Sequence, residues 1–255
     1  MKNALLVMAA VSIVFTSIGK PVSRKKFSDL TPTERAEMKE RHLLRTGGLV
    51  HTGSKGEILY LDFTKQFPQE ALDSVSGLFT KNLRIKVNSK KARDGIQFAI
   101  RDAETILKDI GANAVVYVVD DQNLPMSIVA MESKWALINL AKINSDKPSK
   151  EILQRRGEKL LIRATTVVLG GANSDIQVSA MQSINSLEDL DAVKGRGVDP
   201  RSCMAIFRHL PTIGVIQDQI TSYRKACEEG WAFAPTNKYQ KLVWEQVSKQ
   251  KKNGK

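Results

Sequence analysis

The apolar positions of the chain change their spacing from segment to segment, and these changes predict alternating strands and helices. Residues 57–63 and 83–87 alternate apolar with polar side chains, which is the pattern of half-buried strands. Residues 68–80 and 96–110 carry apolar side chains at helical spacing. Residues 114–119 are almost continuously apolar, as in a strand that is buried on both faces. The first half of the chain therefore predicts a β-α-β-α-β arrangement.

The alternation continues towards the carboxyl terminus. Residues 127–131 and 135–140 predict two more strands, and residues 149–169 predict a long helix. Three further helices are expected at residues 186–193, 211–229 and 236–250. Together these elements predict a single α/β domain.

An additional helix is predicted near the amino terminus. Thr31 stands three residues before Glu34, which is the spacing of a capping box, and Pro32 occupies the first helical position. Gly47 and Gly48 follow the last helical residue. We therefore expect a helix that begins at Pro32 and ends at Gly47.

Residues 1–19 have the three parts of a secretory signal. Lys2 precedes an apolar run over residues 4–15, and small residues precede the expected cleavage after Gly19. The apolar run is shorter than the ~20 residues that span a bilayer, so an uncleaved anchor is the less favoured alternative. We expect an exported protein, either periplasmic or secreted.

The chain offers few ligands for a metal. It contains three histidines and two cysteines, and the histidines share no short helical or strand spacing. The glycine-rich loops that bind phosphates and the Gly-x-Ser-x-Gly turn of hydrolases are also missing. We therefore expect no metal and no cofactor. In an oxidising compartment, Cys203 and Cys227 become candidates for a disulfide.

The predicted helix over residues 149–169 leads into a degraded metalloprotease motif. A metzincin helix carries His-Glu-x-x-His-x-x-Gly-x-x-His, in which the histidines bind zinc and the glutamate is the general base. In this chain Gly170 occupies the glycine position. The three histidine positions hold Arg163, Val167 and Asn173, and the glutamate position holds Ala164. Neither zinc binding nor zinc-dependent hydrolysis is therefore expected.

With the order of elements before it, this window resembles the archaemetzincins, a family of small zincin-fold metalloproteases that hold a second zinc through four cysteines. The resemblance covers residues 57–230 and implies a zincin-like mixed sheet with flanking helices. It also implies that both zinc sites are lost. Residues 20–48 would then form a basic arm with the N-terminal helix, and residues 231–255 a C-terminal helix with a basic tail. A buried helix that ends at Gly170 explains the same residues without this ancestry, so both interpretations stay open.

The charge of the chain is basic and uneven. Lys and Arg total 39 against 27 acidic residues, for a net charge of +12. Residues 81–93 contain six basic side chains and no acid: Lys81, Arg84, Lys86, Lys90, Lys91 and Arg93. Such a cluster neutralises phosphates or sulfates without reading a sequence, and the lack of an aromatic residue in this segment argues against base stacking. A solvated edge strand protected by lysines is the simpler alternative.

These patterns favour a binding function over a catalytic one. We expect an anionic polymer as the partner, DNA or an acidic glycan, bound without sequence specificity. The alternative is a hydrolase or peptidase with a site that uses no zinc. Asp120 and Asp121 are its candidate residues, because they follow a buried strand and paired carboxylates can share a proton. A solvated turn accounts for the same two residues.

Overall fold

The computed structural model describes residues 27–64, 66–93, 97–176 and 178–253. The predicted secretory signal and the basic arm over residues 20–26 lie outside this part of the chain. The packing separates two compact units. One unit is Leu49–Thr221, and the other contains the described parts of Met1–Gly48 and Ser222–Lys255. Residues 49–56 therefore pack with the sheet, and residues 222–230 pack with the terminal helices.

The secondary structure follows the predicted alternation. In chain order the elements are α1 (Pro32–Thr46), β1 (Leu49–His51), β2 (Ile58–Asp62), α2 (Gln69–Leu83), β3 (Val87–Lys91), α3 (Ala103–Ile110), β4 (Ala114–Val119), β5 (Ser127–Ala130), β6 (Trp135–Asn139), α4 (Leu140–Ile143), α5 (Lys150–Val168), α6 (Leu187–Ala192), α7 (Pro200–His209), β7 (Ile220–Ser222), α8 (Tyr223–Glu229) and α9 (Lys238–Asn253). None of the helices within the described ranges is long and apolar enough to cross a membrane.

A five-stranded mixed sheet with the order β3-β2-β4-β6-β5 forms the centre of the larger unit. β2 pairs in parallel with both β3 and β4, and β4 pairs in parallel with β6, whereas β5 pairs antiparallel to β6 at one edge. β1 and β7 form a separate two-stranded sheet. The prediction of a mixed α/β sheet with flanking helices is confirmed.

Both faces of the sheet are covered, which explains why β2 is buried along its whole length. Ile58, Tyr60 and Val116 belong to a core shared with α2 and α5. Leu59 and Tyr117 point to the opposite side, into a second core shared with α3. In the sequence, a strand with two buried faces is an almost continuous run of apolar residues and does not alternate apolar with polar residues.

The predicted strand over residues 83–87 is wrong. α2 continues to Leu83, Arg84 adopts a left-handed conformation with φ 54°, and β3 begins only at Val87. The burial pattern was nevertheless correct, because Leu83, Ile85 and Val87 are all buried. A helix end, a turn and a strand start can bury every second residue without forming a strand.

The predicted helix over residues 211–229 is also wrong. A 3₁₀ turn ends at Gly214, which has φ 79°, and the chain is extended in β7 before α8 begins. α7, which was not predicted, precedes this turn. Asp199 caps it by accepting a hydrogen bond from the Ser202 amide at 3.0 Å, and Pro200 is its first residue. This start signal is visible in the sequence.

The smaller unit consists of α1, α8 and α9. Tyr223 is fully buried there, its hydroxyl donates to the Phe233 carbonyl at 2.7 Å, and its ring lies 6.4 Å from that of Trp244. The capping box predicted from Thr31 and Glu34 begins α1, so this prediction is confirmed.

Candidate functional site

The six basic residues predicted as a binding surface lie along one edge of the sheet, and all six side chains are exposed. Lys81 is in the last turn of α2, and Arg84 and Lys86 are in the connection to β3. Lys90 and Lys91 end the edge strand β3, and Arg93 follows it. The six basic side chains therefore project from a helix end, a turn and a strand, and not from one strand over residues 83–87.

The connection between α2 and β3 is held by backbone hydrogen bonds. The Asp218 amide donates to the Arg84 carbonyl at 2.9 Å, and the Ile58 amide donates to the Lys86 carbonyl at 3.0 Å. The Gln217 side chain donates to the Leu83 carbonyl at 2.5 Å. These contacts fix the backbone that carries Arg84 and Lys86, so both cations project from a defined turn.

Among the described side chains, Lys86 is the one of these six cations that forms an ion pair with an acid. Its Nζ lies 3.1 Å from Glu57 Oε2, and Asn88 donates to the other carboxylate oxygen at 2.5 Å. Burial opposes ionisation of Glu57, but the hydrogen bonds from Asn88 and Lys86 outweigh it and lower the pKa of this carboxyl. Glu57 therefore stays ionised and holds Lys86 beside the turn.

Lys81, Arg84 and Lys86 line one cavity of about 470 Å³. His51 and Asp218 line it as well, with His51 Nδ1 2.5 Å from Asp218 Oδ2. Burial alone would raise the pKa of Asp218. The hydrogen bonds from His51 and from the Gly53 amide outweigh this effect and lower the pKa below its usual value, so the carboxylate is ionised. Sequence reasoning missed His51 and Asp218, because they are 167 positions apart and neither lies in a motif.

The degraded zinc window lies at the end of α5, where Arg163 occupies the first ligand position. Its guanidinium donates to Asn173 Oδ1 at 2.7 Å and to the Met181 carbonyl at 3.3 Å. It also donates to the Gln182 carbonyl at 2.5 Å. Burial lowers the pKa of Arg163, yet a guanidinium remains protonated at neutral pH. The positive charge therefore lies where a zinc ligand would be needed.

The other positions of this window do not fit zinc either. Val167 is apolar and half-buried, and Ala164 is buried. Gly170 has φ 95°, and a Cβ there would lie 2.8 Å from the His209 Cβ, so only glycine fits beside His209. Within the described ranges, no group of three or more His, Cys, Asp or Glu side chains could hold a metal.

Asp120 and Asp121 lie in the turn after β4. Asp120 is exposed, and Asp121 Oδ1 accepts a hydrogen bond from the Asn123 amide at 2.8 Å. The Asn139 side chain braces the same turn by donating to the Asp121 carbonyl at 2.7 Å. This arrangement is typical of a capped turn, and the catalytic role of the two aspartates stays a prediction.

Cys203 and Cys227 are free thiols in the structure and belong to different compact units, so the disulfide between them stays a prediction. Burial raises the pKa of both thiols, and the charge of Asp199 adds to the effect at Cys203. A raised pKa keeps a thiol protonated and slows its reaction.

Three solved structures are similar to this chain. An archaemetzincin from Methanopyrus kandleri is 15% identical with a TM-score of 0.46, and the match covers 61% of this chain and 96% of that one. A zinc-dependent peptidase from Methanocorpusculum labreanum is 13% identical with a TM-score of 0.45, over 59% of this chain and 100% of that one. An archaemetzincin from Archaeoglobus fulgidus is 12% identical with a TM-score of 0.42, over 59% and 99% respectively.

No protein-family model matches the chain, and no curated protein is significantly similar to it. Two of the three structures carry the name of the family that the window at Arg163 resembles. At these identities the likeness concerns the fold.

Proposed function

We propose that this protein binds an anionic polymer without reading a sequence, through the three cations of the basic segment that line one cavity, Lys81, Arg84 and Lys86. The supporting observation is the cavity lined by Lys81, Arg84 and Lys86. Lys81 and Arg84 make no ion pair with another described side chain, so their charges are available to a ligand. The acid of this cavity, Asp218, is already held by His51 and a backbone amide.

The chemistry of the site favours binding over catalysis. Cations that contact phosphates or sulfates provide affinity without sequence information. Arg163 donates to Asn173, which occupies another zinc-ligand position, and Asp121 accepts a hydrogen bond from the Asn123 amide within its own turn. These contacts give no support to the alternative, a hydrolase or peptidase that uses Asp120 and Asp121. We also infer export to the periplasm or the medium from the signal-like residues 1–19.

A salt titration tests the proposed function. The chain without the signal-like residues 1–19 is mixed with a labelled sulfated polysaccharide and with two DNA duplexes of unrelated sequence. The affinity for each is measured at several salt concentrations. We expect log affinity to fall linearly with log salt, and the two duplexes to bind equally. The variant Lys81→Ser/Arg84→Ser should flatten the slope by about two units, roughly one for each lost contact.

The basic ends of the chain need a control, because clustered lysines alone produce salt-dependent binding. In this control, the lysines and arginine of residues 20–26 and the lysines of residues 249–255 are changed to Ser. The proposal predicts that binding persists. It is wrong if this control abolishes binding while Lys81→Ser/Arg84→Ser binds as the parent does.

A further inference from the structure

The cavity lined by Lys81, Arg84 and Lys86, here the first cavity, adjoins two others on the surface of the larger unit. A second cavity of about 390 Å³ lies between α2 and α5 and shares Lys81 with the first. A third cavity of about 340 Å³ shares Glu158 and Arg196 with the second. Because neighbouring cavities share lining residues, the three cavities lie in a row, which we call the groove.

Arg196 stands between the second and third cavities. Its guanidinium pairs with Glu158, whose side chain is 2% exposed, and Gln154 donates to the same carboxylate at 3.1 Å. The Arg196 side chain itself is 62% exposed. The buried acid is therefore neutralised, while Arg196 still faces the groove.

The loop that carries Arg196 has a fixed backbone. A Cβ at Gly195 would lie 1.9 Å from the Val178 carbonyl oxygen, so only glycine fits there. The Ala180 amide donates to the Gly197 carbonyl at 2.9 Å on the other side of Arg196. The loop thus holds its basic side chains beside α5.

The groove is strongly basic. Beyond the three cations of the first cavity, it is lined by Arg155, Lys159, Lys194 and Arg196. The acids among the described lining residues are Asp218, Glu158 and Asp191. Arg155 and Lys194 are exposed and pair with no described side chain, whereas the Lys159 Nζ donates to the Leu190 carbonyl at 2.7 Å. A chain of negative charges would find unpaired cations at both ends of the groove.

We propose that this groove is the path of the bound polymer and that the polymer is an acidic polysaccharide. This inference rests on the proposed function and specifies which cations contact the ligand: those from Lys81 to Arg196 across α2 and α5, rather than Lys90, Lys91 and Arg93 on the edge strand. A polymer that lies in the groove contacts cations that are more than 100 positions apart in the sequence.

The lining residues select the class of polymer. None of the described residues of the three cavities is Phe, Tyr or Trp, and His51 is held by Asp218, so single-stranded nucleic acid finds no large aromatic ring on which its bases can stack. A DNA duplex is a convex cylinder and cannot follow a row of small cavities. An acidic polysaccharide is a single chain that needs no stacking partner. Its sugar rings can pack on the partly buried apolar residue Leu78, which lines the second cavity.

Two variants with the same change in charge test the groove. Arg155→Ser/Lys194→Ser removes two exposed cations from the third cavity, and Lys90→Ser/Lys91→Ser removes two exposed cations from β3. Both should leave the melting temperature unchanged, because exposed and unpaired side chains contribute little to stability. The probes are labelled heparin, a single-stranded oligonucleotide and a DNA duplex.

We expect Arg155→Ser/Lys194→Ser to weaken heparin binding by roughly fivefold or more and to reduce the salt slope by about two. The Lys90→Ser/Lys91→Ser control should bind heparin within about twofold of the parent, since these cations lie outside the groove. Heparin should bind more tightly than either nucleic acid at the same salt concentration.

The outcomes separate this inference from the proposed function. If the parent binds none of the three probes, the proposed function itself is wrong. If the parent binds but Arg155→Ser/Lys194→Ser binds equally well, or the control on β3 loses as much, only the groove is wrong. A preference for either nucleic acid over heparin would overturn the assignment of a polysaccharide.

Discussion

Arg163 donates a hydrogen bond to Oδ1 of Asn173 at 2.7 Å, so the side chains in the first and third zinc-ligand positions bind each other. The same guanidinium also donates to the carbonyls of Met181 and Gln182. One fixed positive charge thereby connects the end of α5 to the segment that follows it. The residues in the degraded zinc window are therefore connected by the Arg163 side chain.

We predict that Arg163→Met destabilises the fold by about 2 kcal/mol, because it leaves two carbonyl groups and Asn173 without their donor. Asn173→Ala removes a single hydrogen bond at an exposed residue and should cost about 0.5–1 kcal/mol. Urea denaturation of both variants measures the two free energies of unfolding. The role assigned to Arg163 is wrong if Arg163→Met unfolds at the same urea concentration as the parent.

Arg156 pairs with two carboxylates, and these pairs make the stability of the protein depend on pH in the acid range. Its buried guanidinium lies 2.6 Å from Asp146 Oδ1 and 2.6 Å from Asp191 Oδ2. Hydrogen bonds from Arg156 lower the pKa of both carboxyls, against a smaller opposing effect of burial. A carboxyl whose pKa is lower in the folded state than in the unfolded state stabilises the folded protein at any pH above the unfolded-state pKa of about 4. This stabilisation is lost as the pH falls below that value and through the lower folded-state pKa.

We therefore predict that Arg156→Met lowers the free energy of unfolding by roughly 3 kcal/mol at pH 7, and that the difference from the parent shrinks as the pH falls below the unfolded-state pKa of about 4. Arg155→Met, an exposed neighbour on α5, is the matched control and should stay within about 0.5 kcal/mol of the parent. Denaturation at several pH values measures both. A deficit of Arg156→Met that is independent of pH would contradict this account.

Two helical glycines should respond in opposite ways to alanine. A Cβ at Gly157 in α5 would lie 2.8 Å from the Phe67 ring, whereas a Cβ at Gly77 in α2 meets nothing within 4 Å. Gly157→Ala should destabilise the protein by about 1–3 kcal/mol through overpacking. Gly77→Ala should stabilise it by up to about 1 kcal/mol, since alanine favours the helix. Thermal unfolding of both variants provides the comparison, and shifts of the same sign would refute it.

The fold was more predictable from the sequence than the groove. The run over residues 114–119 and the cap at Thr31 depend on neighbouring residues, and both elements formed as predicted. The segment from Leu83 to Val87 was wrongly predicted as a strand, because a helix end, a turn and the start of a strand together bury every second residue. Arg196 meets Lys81 in one cavity only through the packing of α2, α5 and a later loop. No pattern along the chain encodes this convergence.

Arg84 connects binding with a cost in stability. It adopts a left-handed conformation, with φ 54° and ψ 40°. This conformation costs a residue other than glycine roughly 1 kcal/mol or more in free energy. We predict that Arg84→Gly raises the free energy of unfolding by up to about 1 kcal/mol and weakens polyanion binding. Arg84→Ala should weaken binding equally without the gain in stability. The account fails if Arg84→Gly binds the polymer as tightly as the parent does.

The position of the bound polymer can be mapped on the unaltered protein by lysine acetylation and mass spectrometry, with and without heparin. Binding in the groove predicts that heparin protects Lys81 and Lys194, which line its first and third cavities. Lys91 on β3 and Lys108 on α3 are exposed outside the groove and should be acetylated equally in both samples. Protection confined to the basic ends of the chain, with Lys81 equally acetylated in both samples, would contradict the account.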